Sequence, residues 1–281
     1  MKEIADSGQL GDIMSVQHLE PVGFWHHAHS YVRGNWRRAG LSTSMLMAKS
    51  CHDLDWLQYI LGRVPLRVSS FGSLAHFTPE GRPQDAADRC TACPAEAGCP
   101  YSAPRFYGNL LERGEHGWPL SVVTDDFTPA ALDEALRNGP YGRCVYACDN
   151  DVVDHQVVAL EFPGATTATF TMTAFTEAAP RSTRLFGTHA ELAGDGETVR
   201  VYDFLTRAER LITPAAADEA NGHGHGGGDA GLMDAFTAAV ATGDRALIKS
   251  GPGESLASHL AVLAAERARL NGTVETIPPL T

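Results

Sequence analysis

The spacing of apolar positions changes rhythm along this chain, and each change marks a different kind of element. Between residues 40 and 62, apolar side chains fall at Met45, Met47, Ala48, Leu54, Leu57, Ile60 and Leu61. That spacing keeps one face of a helix apolar, and Gly62 stops it. Ahead of it, residues 11–23 read as a strand, with alternation at Ile13, Ser15 and Gln17, and residues 64–77 read as another. Residues 78–104 have no period and are rich in Pro, Gly, Cys and Ala, so a loop is expected. It is longer than an ordinary connection, which points to a function or a metal staple. Residues 106–113 and 129–137 predict short helices, the second with Thr128 as N-cap and Pro129 in the first helical position.

The rhythm then becomes that of strands. Residues 152–162, 166–175, 181–186, 190–193, 198–202 and 208–212 are short runs separated by turn residues, the pattern of an antiparallel meander. Residues 231–242 and 254–270 close the chain as helices, the last with a stripe at Leu256, Leu260, Leu263 and Leu270. Helices and a loop, then strands, then helices predict an α+β fold: a large, predominantly antiparallel sheet with helices packed on one face. Residues 1–281 are expected to form one such domain.

Composition narrows the function classes. With 281 residues and 43% hydrophobic content the chain can bury a sizeable core. Twenty-two Lys and Arg stand against 34 Asp and Glu, a net charge of -12 with no basic run, so a nucleic acid is a poor partner. No apolar run is long enough for a membrane span, and the polar start is not a signal peptide, so a cytoplasmic location is expected. The six cysteines are then expected as thiols or metal ligands rather than disulfides. A dinucleotide fold needs a strand feeding G-x-G-x-x-G at a helix start, and no segment meets that description. The glycine-rich stretch at residues 221–229 follows a polar, acidic segment and reads as a flexible loop.

Several clusters could carry chemistry. Cys90, Cys93 and Cys99 have C-x2-C spacing with a third thiol close behind, which suits a structural zinc whose fourth ligand comes from elsewhere. Lys49, His52 and Asp55 are three residues apart and would share a helix face, where the lysine and carboxylate would tune the imidazole for proton transfer. The stretch from Phe24 to Trp36 mixes aromatic rings with His26, His27, His29, Arg33 and Asn35, a set suited to a polyhydroxyl ligand. Asn150, Asp151, Asp154 and His155 lead into a strand and could line a cleft. His223, His225 and Asp229 sit in the glycine-rich stretch and could reach a substrate or stay mobile.

The run AKSCHDLDWLQYILG from Ala48 resembles the catalytic helix of the glucose–fructose oxidoreductase and inositol dehydrogenase (Gfo/Idh/MocA) family. YGRCVYACDNDVVDHQVVALEF from Tyr141 resembles the start of that family's large sheet, and HGGGDAGLMDAF from His225, with the final helix, resembles its C-terminal part. The resemblance implies the family's C-terminal substrate domain without its N-terminal Rossmann domain. It further implies a partner that supplies NAD or NADP, possession of a sugar or polyol substrate, and a homo-oligomer formed through the sheet. On the family's D-x-x-x-H-x-x-D helix pattern, His52 takes the histidine and Asp55 the trailing aspartate, while the leading aspartate falls on Ala48.

The implied roles follow. His52 takes a hydroxyl proton as hydride leaves the same carbon, Lys49 polarises that hydroxyl, and His26, His29, Arg33, Asn150 and Asp151 grip the others. The rival readings are a non-catalytic sugar-binding or assembly module of the same origin, and a metal-dependent hydrolase or epimerase.

Overall fold

A computed structural model describes residues 1–213 and 228–279. Residues 221–227 of the expected glycine-rich loop, with His223 and His225, lie outside the described residues, whereas Asp229 falls in a helix, Gly228–Thr242. Among the described residues nine strands form one sheet: β1 (Ile13–Pro21), β2 (Arg67–Ser73), β3 (His155–Glu161), β4 (Thr167–Thr173), β5 (Ser182–Gly187), β6 (Ala190–Gly194), β7 (Val199–Asp203), β8 (Glu209–Ile212) and β9 (Glu275–Thr276). Their order is β8-β7-β6-β5-β1-β4-β3-β2-β9. All neighbours are antiparallel except β1 and β4, which run parallel with Val16 opposite Ala168 and His18 opposite Phe170. The expected meander thus holds from β5 to β8 but is interrupted, because β1 inserts between β4 and β5. Alternation within a strand fixes which face it buries and says nothing about which strand lies beside it.

Backbone hydrogen bonds hold the insertion. Val22 N–H donates to the Thr173 carbonyl at 3.2 Å and Phe24 N–H to that of Thr176 at 2.9 Å. Between them Gly23 has φ 88° and lies so close to Ala178 that a Cβ would sit 2.6 Å from the alanine's own. Only glycine meets both demands.

Helix α1 (Lys2–Asp6) was not anticipated, nor was the form of residues 24–33, where α2 (Phe24–His27) runs into a π-helical turn, Ala28–Arg33. Helix α3 (Met45–Leu61) agrees with the predicted element. Ser44 caps it by accepting the Met47 N–H at 3.3 Å, and Gly62 ends it in the left-handed region. Helices α4 (Ala103–Glu112) and α5 (Pro129–Asn138) follow, capped by Ser102 and Thr128. Helices α6 (Gly228–Thr242) and α7 (Pro252–Asn271) close the chain.

Helices α3 and α7 cover one face of the sheet. Ala257, Ser258, Ala261, Ala264, Ala265 and Ala268 form a small-residue stripe on α7, which lets it lie close to α3 and β2. Beneath them the core joins Leu54, Leu57 and Ile60 to Val16, Val158, Leu160, Phe170, Met172, Leu185 and Leu192. A second cluster gathers α4, α5 and Tyr141 around buried Tyr107, and a third packs Val32, Phe77, Tyr101, Val145 and Tyr146. The loop at residues 78–104 carries three short 3-10 turns and contributes Cys90 and Tyr101 to these clusters, so it is packed rather than free.

Phe170 is fully buried at the centre of β4 and stacks on the His18 ring at 5.6 Å. Phe170→Ala should therefore lower unfolding stability by about 3–5 kcal/mol, the scale of an emptied core site, measured by urea denaturation.

Candidate active site

The site is built where the end of β1 passes beneath α3. Asp53 is fully buried on the sheet side of α3 and meets His18 Nε2 of β1 at 2.9 Å. The other His18 nitrogen lies 2.8 Å from Thr183 Oγ1 of β5, which also accepts the Trp56 indole N–H at 3.1 Å. Glu20, two residues further along β1 on the same buried face, is 3% exposed. Its Oε1 lies 3.2 Å from Lys49 Nζ, and its Oε2 lies 2.9 Å from Arg181 Nε, which donates to Asp53 as well. Two carboxylates and two cations thus share one buried knot between helix and sheet.

Electrostatics separates the two acids. Burial works against the Asp53 carboxylate, but the His18 contact and the Arg181 charge outweigh it and hold its pKa below the ordinary value. Burial raises Glu20 above its ordinary value; Lys49 opposes this and Asp53 adds to it. Sequence reasoning found neither Glu20, His18 nor Arg181. Their partners are distant in the chain, and only the insertion of β1 brings them together.

The predicted stripe on α3 divides. Lys49 turns towards Glu20, whereas His52 and Asp55 line a cavity of about 680 Å³ between α3 and α7, together with Trp56, Tyr59, Lys2, Arg63, Lys249 and Glu254. His52 is exposed there, with Cys51 Sγ 3.6 Å from its Nδ1. Burial lifts the Asp55 pKa, and the neighbouring His52 lowers it in part. His52 and Asp55 are therefore brought together, and Lys49 sits one turn before them.

The histidine-rich segment forms an aromatic wall. His26 lies among Trp25, Tyr31 and Trp118, with ring centroids 5.6, 6.2 and 4.9 Å away. Burial, reinforced by the Lys49 charge, pushes its pKa down to about 3, so it faces any ligand as a neutral ring. His27 is fully buried between Tyr31 and Phe77, and burial pushes it down to about 3.

The remaining residues expected to grip a ligand are engaged in the fold. His29 is 2% exposed and its Nδ1 lies 2.6 Å from the Tyr107 hydroxyl. Buried Arg33 donates to the carbonyls of Arg143 and Tyr101 at 2.8 and 2.7 Å. Asn150 donates to the Phe77 carbonyl at 3.2 Å. Asp151 accepts the Ala39 N–H at 2.7 Å. Asp154 is fully buried and accepts the N–H groups of Ala75 and His76.

The zinc expectation needs correction. Cys90, Cys93 and Cys99 do line one small void with Cys144, Arg33 and Glu96. Yet among the described residues no group of three or more His, Cys, Asp or Glu side chains is placed to hold a metal ion. Cys90 Sγ instead lies 3.4 Å from Arg33 Nη2. The first thiol thus has a guanidinium beside it, a neighbour that C-x2-C spacing could not reveal.

An open, mostly antiparallel sheet covered on one face by helices with titratable side chains at their junction is the architecture of an oxidoreductase α/β domain. The family described as the oxidoreductase family, C-terminal alpha/beta domain, matches residues 2–202, and the chain belongs to it, as the resemblance implied. Among its relatives is YteT of Bacillus subtilis, named as an oxidoreductase and 24% identical over 169 residues, 58% of this chain and 37% of YteT. A levoglucosan dehydrogenase in complex with NADH and levoglucosan superposes with a TM-score of 0.59 at 14% identity, covering 99% of this chain and 63% of that one. An aldose-aldose oxidoreductase from Caulobacter crescentus complexed with glycerol gives 0.57 at 14% identity, covering 98% and 58%. The chain thus spans between about a third and two thirds of the length of these proteins.

The neutral His27 carries a pH prediction. Its folded pKa is depressed, so its contribution to stability is present above the unfolded value of 6.5 and is lost as pH falls towards about 3. Thermal melts should show the transition temperature falling across that window, and His27→Phe should make the fall shallower without abolishing it, since His26 and His29 titrate in the same sense.

Proposed function

We propose that this chain is the substrate-holding and assembly domain, residues 1–281, of an NAD- or NADP-dependent sugar or polyol dehydrogenase, with the dinucleotide unit contributed from outside these residues. The observation that carries this reading is the placement of His52 and Asp55 on the wall of a large cavity, on the helix whose sequence matches the family's catalytic helix. The levoglucosan and glycerol held by the two structural neighbours support a polyhydroxyl substrate.

The described residues do not fit a dinucleotide by themselves. Their one parallel strand pair, β1 and β4, is not joined by a glycine-rich turn that opens a helix. A nicotinamide bound by another unit would accept the hydride. This chain's own part is to place the substrate and take its hydroxyl proton. His52 receives that proton, Asp55 stabilises the imidazolium that results, and Lys49 polarises the hydroxyl. Trp25, His26 and Trp118 offer flat faces to a sugar ring.

The sheet face opposite α3 and α7 exposes Phe71 and Val157, which supports a homo-oligomer assembled through that face. Among the described residues no helix is long and apolar enough to cross a membrane, and a cytoplasmic location belongs to the same proposal. A second reading, a non-catalytic sugar-binding module, draws support from Ala48, which stands where the family pattern has an aspartate and has no proton to relay.

Titration of the chain with levoglucosan or myo-inositol, followed by tryptophan fluorescence, should give saturable binding, while NADH should leave the signal unchanged. His52→Ala should weaken the polyol about tenfold, the scale of one hydrogen bond to a charged or ionising group. Tight NADH binding by this chain alone, or no polyol binding, would refute the proposal.

A further inference from the structure

Lys49 and Glu20 form a pair that the sequence pattern did not foresee. Ala48 stands where the pattern has a carboxylate, and the nearest acid of α3, Asp53, is engaged by His18 and Arg181. The structure brings one from the sheet. Glu20 is nearly sealed from solvent, yet its partner Lys49 reaches the boundary, with 19% of its side chain exposed.

We propose that Glu20, on β1, is the positioning carboxylate of this site, holding the Lys49 ammonium beside the substrate hydroxyl in place of the absent helix aspartate. This rests on the function proposed above.

Three features carry it. Glu20 has two cationic contacts from different elements, Lys49 on α3 and Arg181 ahead of β5, so its position is fixed from both sides. A buried carboxylate is costly unless paired, and pairs of this kind are no more stabilising than a well-packed apolar side chain. Stability alone therefore does not account for an acid at this position. Finally, the lysine so held neighbours His26, whose pKa the Lys49 charge helps to depress, and lies one turn before His52. Among the described residues, the charged or titratable groups that act on the pair and its neighbours are Asp53 and Cys51 of α3, Arg181, His26 of α2 and Tyr31 of the π-helical turn.

The chain has only three lysines, Lys2, Lys49 and Lys249, so amine chemistry can report on Lys49 alone. The test is pulse acetylation of the full chain over a range of pH, read by peptide mass spectrometry with Lys2 as internal reference. Glu20→Gln should raise Lys49 labelling about tenfold, the scale of removing one opposite charge at this distance. It should also weaken levoglucosan binding while cooperative melting persists, and Glu20→Asp should restore both in part. Equal Lys49 labelling in E20Q and wild type overturns the proposal, as does unchanged levoglucosan binding in E20Q. If E20Q does not melt cooperatively, E20D carries the test: its shorter reach should raise Lys49 labelling above wild type, and an unchanged rate overturns the proposal. If wild type binds no polyol but its Lys49 labelling still responds to E20Q, the sugar reading fails and the coupling of Glu20 to Lys49 stands.

Discussion

The rest of the structure depends on the buried ionic knot between β1 and α3. Glu20 and Asp53, both buried, pair with the partly exposed Lys49 and Arg181, and His18 with Thr183 closes the far end. Such a cluster adds little net stability compared with apolar packing, but breaking it by halves strands an uncompensated charge. It therefore acts less as a source of stability than as a constraint on geometry. α3 cannot rotate about its axis without pulling Asp53 away from His18 and Lys49 away from Glu20. Once that rotation is fixed, His52 and Asp55 must look towards α7, and the alanine stripe of α7 sets how close the opposite wall stands.

The same constraint explains why β1 breaks the meander. A hairpin from β4 to β5 would have left His18 and Glu20 without a place beneath α3. With β1 between them, Thr183 and Arg181 come from one neighbour and Phe170 from the other. The turn that leaves β1 is then forced through Gly23 against Ala178, and the chain enters α2 and the π-helical turn at once. A π-helix is a rare conformation, often found at functional sites. Here it packs Tyr31 inward against His27 of α2, while His26 stays at the edge of the aromatic wall.

Local features of this architecture were legible in the residues. Gly62 ends α3 where predicted, Thr128 caps α5, and alternation in β3 and β4 marks their buried sides. Long-range features were not. Nothing about Glu20 in isolation announces a lysine 29 residues away and an arginine on a third element. Arg33 read as a ligand contact because arginine beside aromatics often is one, and its Nε and Nη2 donate to the Arg143 and Tyr101 carbonyls, partners no spacing announced. The cysteines illustrate the same limit. Spacing can bring thiols to one turn, but it cannot show that Arg33, 57 residues away, lies against the first of them.

Charge at the site bears on what it can hold. The knot contains two acids and two bases, so its net charge near Lys49 is close to zero, and His26 beside it is uncharged. A ligand arriving there meets fixed dipoles and aromatic faces rather than a surplus of either sign. The 680 Å³ cavity is similarly mixed, with Lys2, Arg63 and Lys249 set against Asp55 and Glu254, and Lys2 already paired with Asp6. Sites that recognise phosphate or carboxylate concentrate uncompensated cations on the ligand. In the knot, where Lys49 and Arg181 each face a carboxylate, that advantage is lost, and what remains favours many weak, directional contacts to neutral hydroxyl groups. The neutral polyol proposed above asks for no uncompensated cation.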